Sequence, residues 1–449
     1  MPFLHGFRRI TYEYQSLVDA VLRVLRLEEG RESRDSAPAP ADDPALRDAL
    51  TALLEHEAQS AVFKEGVSCA LFKVAETGLV SAAEILLQYG ADLNFEDPVN
   101  YYNPLHIAVL RNQPGMVELL VRHGADINKR DRIHESSPLD LASEEAERLS
   151  CLRVLLDLGA DVNAKDKNGK TALIHALASS DGVTVCNTDS IQLLLERGAD
   201  MGATTQEGET VLSQLVFLVS EALEGTAEDA AAIGDFCLEA ARLLLAHGAD
   251  PSRCMSHSEG EGDREEEEEE VWAYEPSLTQ VCLEHFDLLY PLAVLLLQNG
   301  AAFHCSRHGA TCWTGYCPTF NRLCEALQQS DRDAASALLA KAEYLLELAT
   351  ASSPAPALPP GFEVCVSSYV PRAEEVLGLY RRLREHHAAP AALQQLCRAR
   401  IRCLLQPWPL ERKVQALPLP DRLKEYLLPE HKYAPRPGQD SFRPCLTLR

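Results

Sequence analysis

A short phrase, two leucines followed within a few residues by Gly-Ala-Asp, recurs along the chain and constrains its fold more than any other feature. It ends at Asp92, Asp126, Asp161, Asp200 and Asp250, and a weaker copy, LLLQNGAA, ends at Ala302. The glycines of these copies, Gly90, Gly124, Gly159, Gly198, Gly248 and Gly300, are separated by 34, 35, 39, 50 and 52 residues. The leucine pair suits the buried stripe of a helix, and the glycine can take the left-handed conformation that stops it. Ala-Asp then opens a turn. In the early copies a new helix is predicted about a dozen residues later, at NPLHIAVL (103–110) and SPLDLA (137–142), with Pro104 and Pro138 in the first turn, where a missing amide costs nothing. In the next copy Asn168-Gly169 supplies a tight turn and Thr171 a cap. A unit of two short helices cannot bury its apolar face alone, so the copies must stack.

The period near 33 residues and the resemblance of NPLHIAVL to T-P-L-H-x-A are those of ankyrin repeats. The expected fold is all-α, an ankyrin solenoid of about six repeats at about 67–97, 102–131, 136–165, 169–203, 231–253 and 278–305, the last two carrying insertions. Upstream, in residues 1–66, Leu17, Val18, Val21, Leu22 and Leu25 share one helical face, and a linker at 32–44 precedes a second helix at about 45–57. These helices are predicted to cap the stack. Residues 303–349 read as a degenerate helix pair closing it, 350–370 as a proline-rich linker, and 380–432 as a small terminal helical module.

Composition excludes several function classes. With 67 Asp and Glu against 42 Lys and Arg, the formal charge is -25, which opposes nucleic-acid and anionic-membrane surfaces. Residues 259–270 hold nine carboxylates and one arginine, so 255–272 is expected to be a disordered acidic insertion. No apolar run approaches the ~18 residues of a membrane span. The opening MPFLHGFRRITYEY lacks an export signal, so the 14 cysteines are expected to be reduced thiols in a cytoplasmic chain. Gly169-Lys170-Thr171 is not a phosphate loop, because the required glycine five places earlier is Ala164. His304, Cys305, His308, Cys312, Cys317 and Cys324 lack the paired spacing of structural zinc sites. No metal, cofactor or catalytic residue is therefore expected.

The informative residues lie near the C-terminus. From Ala391 the chain reads AALQQLCRARIRCLLQPWP, a predicted helix on which Leu393, Leu396, Cys397, Ile401 and Leu404 form one apolar stripe, interrupted by Arg398, Arg400 and Arg402. Such a stripe suits a helix laid into a hydrophobic groove, or a piece of core. Leu417-Pro418-Leu419-Pro420 follows, held extended by its prolines and positioned to present two leucines to a pocket, and then a short helix with Leu423, Tyr426 and Leu427 on one face. The Leu393, Cys397, Ile401 spacing resembles an elongin-binding BC box, and Leu417 to Pro420 with Leu423 resembles a Cullin-5 box. Together, after an ankyrin array, they resemble a SOCS box, and the chain is similar to the ankyrin repeat and SOCS box family. It departs from the usual pattern at Ala392, where the family prefers Ser, Thr or Pro.

That resemblance implies a non-catalytic substrate-recognition subunit of an elongin BC–Cullin-5 ubiquitin ligase. Its partners would be elongin C, elongin B, Cullin-5 with a RING subunit, and a protein substrate such as a signalling adaptor. The excess of acidic residues suggests that the substrate has a basic surface. The alternative is an ankyrin scaffold or adaptor of intracellular signalling whose terminal helices only cap the stack. Substrate-facing candidates are Phe95, Tyr101 and Tyr102 at one loop tip and Arg130, Arg132 and His134 at the next, aromatic and arginine residues being favoured in interface hot spots.

Overall fold

The computed structural model describes residues 3–27, 44–98, 100–178, 187–225, 227–251, 276–305, 309–352, 358, 361–367, 369–388, 393–405 and 410–428. The chain divides into two compact units, Met1–Glu207 and Gly208–Arg449. The architecture is almost wholly helical, as expected.

Among the described residues the first unit contains five helix pairs: α1 (Phe3–Val24) with α2 (Pro44–Glu57), α3 (Phe63–Thr77) with α4 (Val80–Gln88), α5 (Pro104–Leu110) with α6 (Pro114–Arg122), α7 (Pro138–Ser143) with α8 (Leu149–Asp157), and α9 (Ala172–Ala178) with α10 (Thr188–Glu196). First helices stack on first helices and second on second, so α3 touches α1 and α5, while α4 touches α2 and α6. The N-terminal pair thus sits in the same register as the repeats. Leu17, Val18, Val21 and Leu25 are buried, while Leu22 is half-buried. Gly66 of α3 lets the two helices come close, since a Cβ there would lie 2.7 Å from the buried Leu17 Cδ2.

Each repeat is punctuated as its sequence predicts. Gly90, Gly124, Gly159 and Gly198 have φ between 87° and 98°. A Cβ at any of them would meet nothing within 4 Å, so conformation and not space calls for glycine there. The following amides close the helix end, as when Gly90 N donates to Leu87 O and Ala91 N to Leu86 O. Capping boxes start the next helices: Asn103 with His106 before α5, and Ser137 with Asp140 before α7. The buried leucines, Leu86, Leu120, Leu155 and Leu194 among them, each contribute about 1.5–3 kcal/mol.

The second unit has three pairs: α11 (Val211–Glu224) with α12 (Ala227–Ala246), α13 (Leu278–Glu284) with α14 (Tyr290–Gln298), and α15 (Tyr316–Gln329) with α16 (Arg332–Ser352). The sequence reading placed a repeat at 231–253, which omits its first helix. Helix α11, opened by a Thr210–Ser213 capping box, supplies that partner, and the 50-residue interval is absorbed by two long helices. The region 303–349 was expected to be helical throughout. It instead begins with a short antiparallel hairpin, β1 (His304–Cys305) and β2 (Gly309–Thr314), whose Thr311, Trp313 and Thr314 are strand-favouring residues. The acidic stretch 259–270 lies outside the described residues.

The expected linker after α16 carries structure as well. Phe362 packs among Tyr316, Phe320 and Tyr380 with ring centroids 5.9–6.2 Å apart, and Tyr380 Oη donates to Phe362 O at 2.7 Å. This contact fastens the segment to α17 (Ala373–Ala388), a helix the sequence reading did not identify. Three helices complete the unit: α18 (Leu393–Leu404), α19 (Leu410–Ala416) and α20 (Asp421–Leu427).

Candidate functional site: an apolar helix face turned outward

Helices α18, α19 and α20 enclose a small core of Leu410, Val414 and Leu427, with Ile401, Leu405, Leu417, Leu419 and Leu428 packed against it. Most of the stripe on α18 stays out of this core. Leu393 is 77% exposed, Leu404 66% and Leu396 52%, and Cys397 is exposed between them. A helix turns about 100° per residue, so Leu393, Leu396, Cys397, Arg400 and Leu404 fall on one side. Ile401 sits at its border, so it joins the internal core and leaves the predicted stripe.

Arg398 and Arg402 occupy the inward side, while Arg400 is exposed among the leucines. Arg402 is buried to 4% exposure, and its two terminal nitrogens donate to Leu427 O at 2.7 Å and Gln298 O at 2.9 Å. Both acceptors lie at the C-terminal ends of helices, α20 and α14, where carbonyls lack helical partners and the dipole is negative. Burial lowers the Arg402 pKa to about 10, with nearby Arg398 adding to the shift, so it stays charged at neutral pH. The Arg398 guanidinium lies over the Tyr426 ring at 4.7 Å. Two lysines repeat the device: Lys413 Nζ donates to Leu405 O at 2.9 Å and Lys424 Nζ to Gln415 O at 2.8 Å. Much of the positive charge of this region therefore ties helices together. From the sequence all three arginines are expected to point away from the stripe; Arg398 and Arg402 do, whereas Arg400 lies on the stripe's own side, and none is expected to tie helices together. Their i, i+4 spacing, which puts Arg398 and Arg402 on one face, was the available signal.

The LPLP segment also differs from expectation. Leu417 and Leu419 turn inward onto the box's own core, whereas Pro418 and Pro420 are exposed. Leu423 is 49% exposed, Tyr426 half-buried and Leu427 buried.

Of the candidates in the repeats, Phe95 and Tyr102 are half-buried, Phe95 with its ring edge-on to Phe72 at 6.5 Å and Tyr102 against His106 at 5.5 Å. They pack against the repeat and are not free anchors. Tyr101 is 36% exposed, with the Arg132 guanidinium over its ring at 5.9 Å. Arg132 Nε is 2.6 Å from Glu96 Oε2, Arg130 donates to Glu135 O at 2.6 Å, and His134 is exposed. The sequence reading passed over the half-exposed Ile133.

Among the described residues no group of His, Cys, Asp and Glu is arranged to hold a metal. Cys317 is exposed and Cys324 half-buried, while His308 lies outside the described residues. Burial raises the thiol pKa of Cys69 to about 11 and those of Cys151 and Cys237 to about 12, which keeps them protonated. A cleft of about 440 Å³ between α16 and α17 is lined by Arg372, Glu375, Glu343 and Arg382, already engaged in the pairs Arg372–Glu375 and Arg382–Glu343. No described helix is long and apolar enough to cross a membrane.

A helical repeat scaffold with a separate terminal box is the architecture of an adaptor. Residues 389–428 match the SOCS box, residues 44–131 match ankyrin repeats (3 copies) and residues 139–186 match ankyrin repeats (many copies); none of these is a catalytic domain. The chain is 54% identical to Ankyrin repeat and SOCS box protein 6 of Homo sapiens, Mus musculus and Pongo abelii, over 96% of its own length and 98% of theirs. It belongs to the ankyrin repeat and SOCS box family.

Proposed function

We propose that this chain is the substrate-recognition subunit of an elongin BC–Cullin-5 ubiquitin ligase, acting in the cytoplasm. The observation that carries the reading is the outward apolar side of α18. Leu393, Leu396, Cys397 and Leu404 present a ridge suited to a hydrophobic groove, and cysteine suits a tight contact because it is small and polarisable. Elongin C is the partner assigned to this ridge, with elongin B bound to elongin C. Pro418, Pro420 and Leu423 form the outer surface offered to Cullin-5 and its RING subunit, while Leu417 and Leu419 hold that surface in shape. The repeats hold the substrate.

The chain itself does no chemistry. Tethering raises the effective concentration of substrate lysines near the activated ubiquitin carried by the rest of the complex, and proteasomal degradation follows.

Affinity capture of the full-length protein tests the reading. The wild type retains elongin B and elongin C, and the Leu393→Ala, Cys397→Asp double variant loses both, because an unpaired carboxylate in an apolar groove costs several kcal/mol. Elongins missing from the wild-type eluate overturn the proposal and leave a plain ankyrin scaffold.

A further inference from the structure

The loop tips of the first unit reverse the charge of the chain. Lys129, Arg130 and Arg132 stand in one loop and Lys165, Lys167 and Lys170 in the next, against five carboxylates in the same two loops, Asp126, Asp131, Glu135, Asp161 and Asp166. Two of those carboxylates are turned inward. Asp131, 2% exposed, accepts the amides of Ile133, His134 and Ser136 at 2.7–2.9 Å. Asp166, 8% exposed, accepts those of Asn168 and Lys170 at 2.7–2.8 Å and faces His175 at 3.1 Å. Glu135 is exposed, as are Asp126 and Asp161 just after the helix-stopping glycines, where they accept the amides of Asn128 and Asn163. In the preceding loop the carboxylate of Glu96 is shared, lying 3.6 Å from Lys129 Nζ and 2.6 Å from Arg132 Nε.

The two tips adjoin one another. Lys167 N donates to His134 O at 3.4 Å, so Lys165 and Lys167 continue the row begun by Arg130 and Arg132. Beside this row, Tyr101 and Ile133 are 36% and 44% exposed. Cationic side chains next to a half-exposed aromatic and a half-exposed aliphatic make a surface that can pair carboxylates and seat an apolar side chain.

We propose that these tips form a docking strip for an acidic segment of the protein substrate, with Tyr101 and Ile133 receiving an apolar residue of that segment. The proposal rests on the reading that the repeats hold the substrate, and it replaces the basic partner suggested by total charge. A short acidic segment feels chiefly the charges within a Debye length, ~10 Å at 0.1 M salt. A long polyanion such as nucleic acid meets the field of the whole chain, whose formal charge is -25.

The test uses full-length protein, a fluorescein-labelled peptide and a single-stranded oligonucleotide of equal charge. The peptide alternates glutamate and alanine around a central leucine over about twelve residues, enough at ~3.3 Å per residue to cross both tips. Saturable, salt-sensitive peptide binding is expected, weakened about tenfold by the Lys165→Glu, Lys167→Glu double variant and less by Lys167→Glu alone. Ile133→Ser is expected to weaken binding a few-fold. The proposal is overturned by absent peptide binding, by binding indifferent to the double reversal, or by tighter binding of the oligonucleotide. Elongin capture by the same double variant is a separate readout. Its persistence alongside lost peptide binding supports the strip, whereas loss of elongin capture from the wild type bears on the ligase reading.

Discussion

In α8 the residues Cys151, Leu152, Leu155 and Leu156 are buried and Arg153 faces water; in α18 Leu393, Leu396, Cys397 and Leu404 face water and Arg402 is buried. Both helices are amphipathic, with leucines and a cysteine on one side; Arg153 lies opposite them in α8, as Arg398 and Arg402 do in α18, where Arg400 stays exposed among the leucines. Amphipathicity states that a side will be covered; it does not state by what. In the repeats the neighbouring copy covers it. In α18 the chain turns Arg398 and Arg402 to the inward side, where Arg402 donates to helix-end carbonyls and Arg398 stacks on Tyr426, and the leucines are left for something else to cover.

The sharpest way to break this comparison is truncation on the two apolar sides. Leu155→Ala is expected to destabilise the protein by about 2–5 kcal/mol, because it leaves a cavity in a closed core. Leu393→Ala is expected to stay within about 0.5 kcal/mol, as for a surface change. Denaturant unfolding of both variants decides the matter, and a large loss at Leu393 would mean that its side chain is already packed.

The buried polar groups sharpen the contrast next. In the repeats His106 is buried, and desolvation outweighs the pull of Asp131 to lower its pKa to about 4, so it is neutral when folded. Below pH 6.5 an unfolded chain takes up the proton first, so stability falls as pH drops from 6.5 toward 4, by at most about 3 kcal/mol. His106→Asn is expected to flatten that part of a melting-temperature profile. Arg402 stays charged over the same range and adds no such slope.

A loss smaller than that at Leu155 is expected at Arg402 itself. Arg402→Met keeps most of the stem and removes the donors to Leu427 O and Gln298 O, a loss of about 1–3 kcal/mol. It is read as faster amide exchange in α18 to α20 with the repeats of the first unit unchanged. Equal exchange in the variant would show that the carbonyls find other partners.

Much of this was legible in the sequence, for reasons tied to particular residues. Gly90, Gly124, Gly159 and Gly198 had to adopt positive φ, and Asn103, Ser137 and Pro104 had to open helices, because each choice follows from local backbone chemistry. The pair formed by α11 and α12 was missed in part because its first helix lacks the proline signature; the Thr210–Ser213 box opens it without one. The side of α18 that faces inward was not legible, since it depends on carbonyls far away in sequence, Gln298 being one. Phe95 and Tyr102 looked like anchors because residue type says nothing of the ring of Phe72 or His106 waiting beside them. The tip lysines escaped notice because five carboxylates nearly balance the six cations of those two loops on paper, while Asp131 and Asp166 spend their charge on turn amides.

The close approach at Gly66 separates two meanings of a boundary. The recognisable repeat span opens at residue 44. The cohesive limit lies further upstream, because Leu17, Val18, Val21 and Leu25 lie in the core and α1 is held against α3. A chain cut at residue 44 would keep every matched repeat and still bare the side of α3 on which α1 rests. For this molecule, the packed core reaches further than the span that can be recognised.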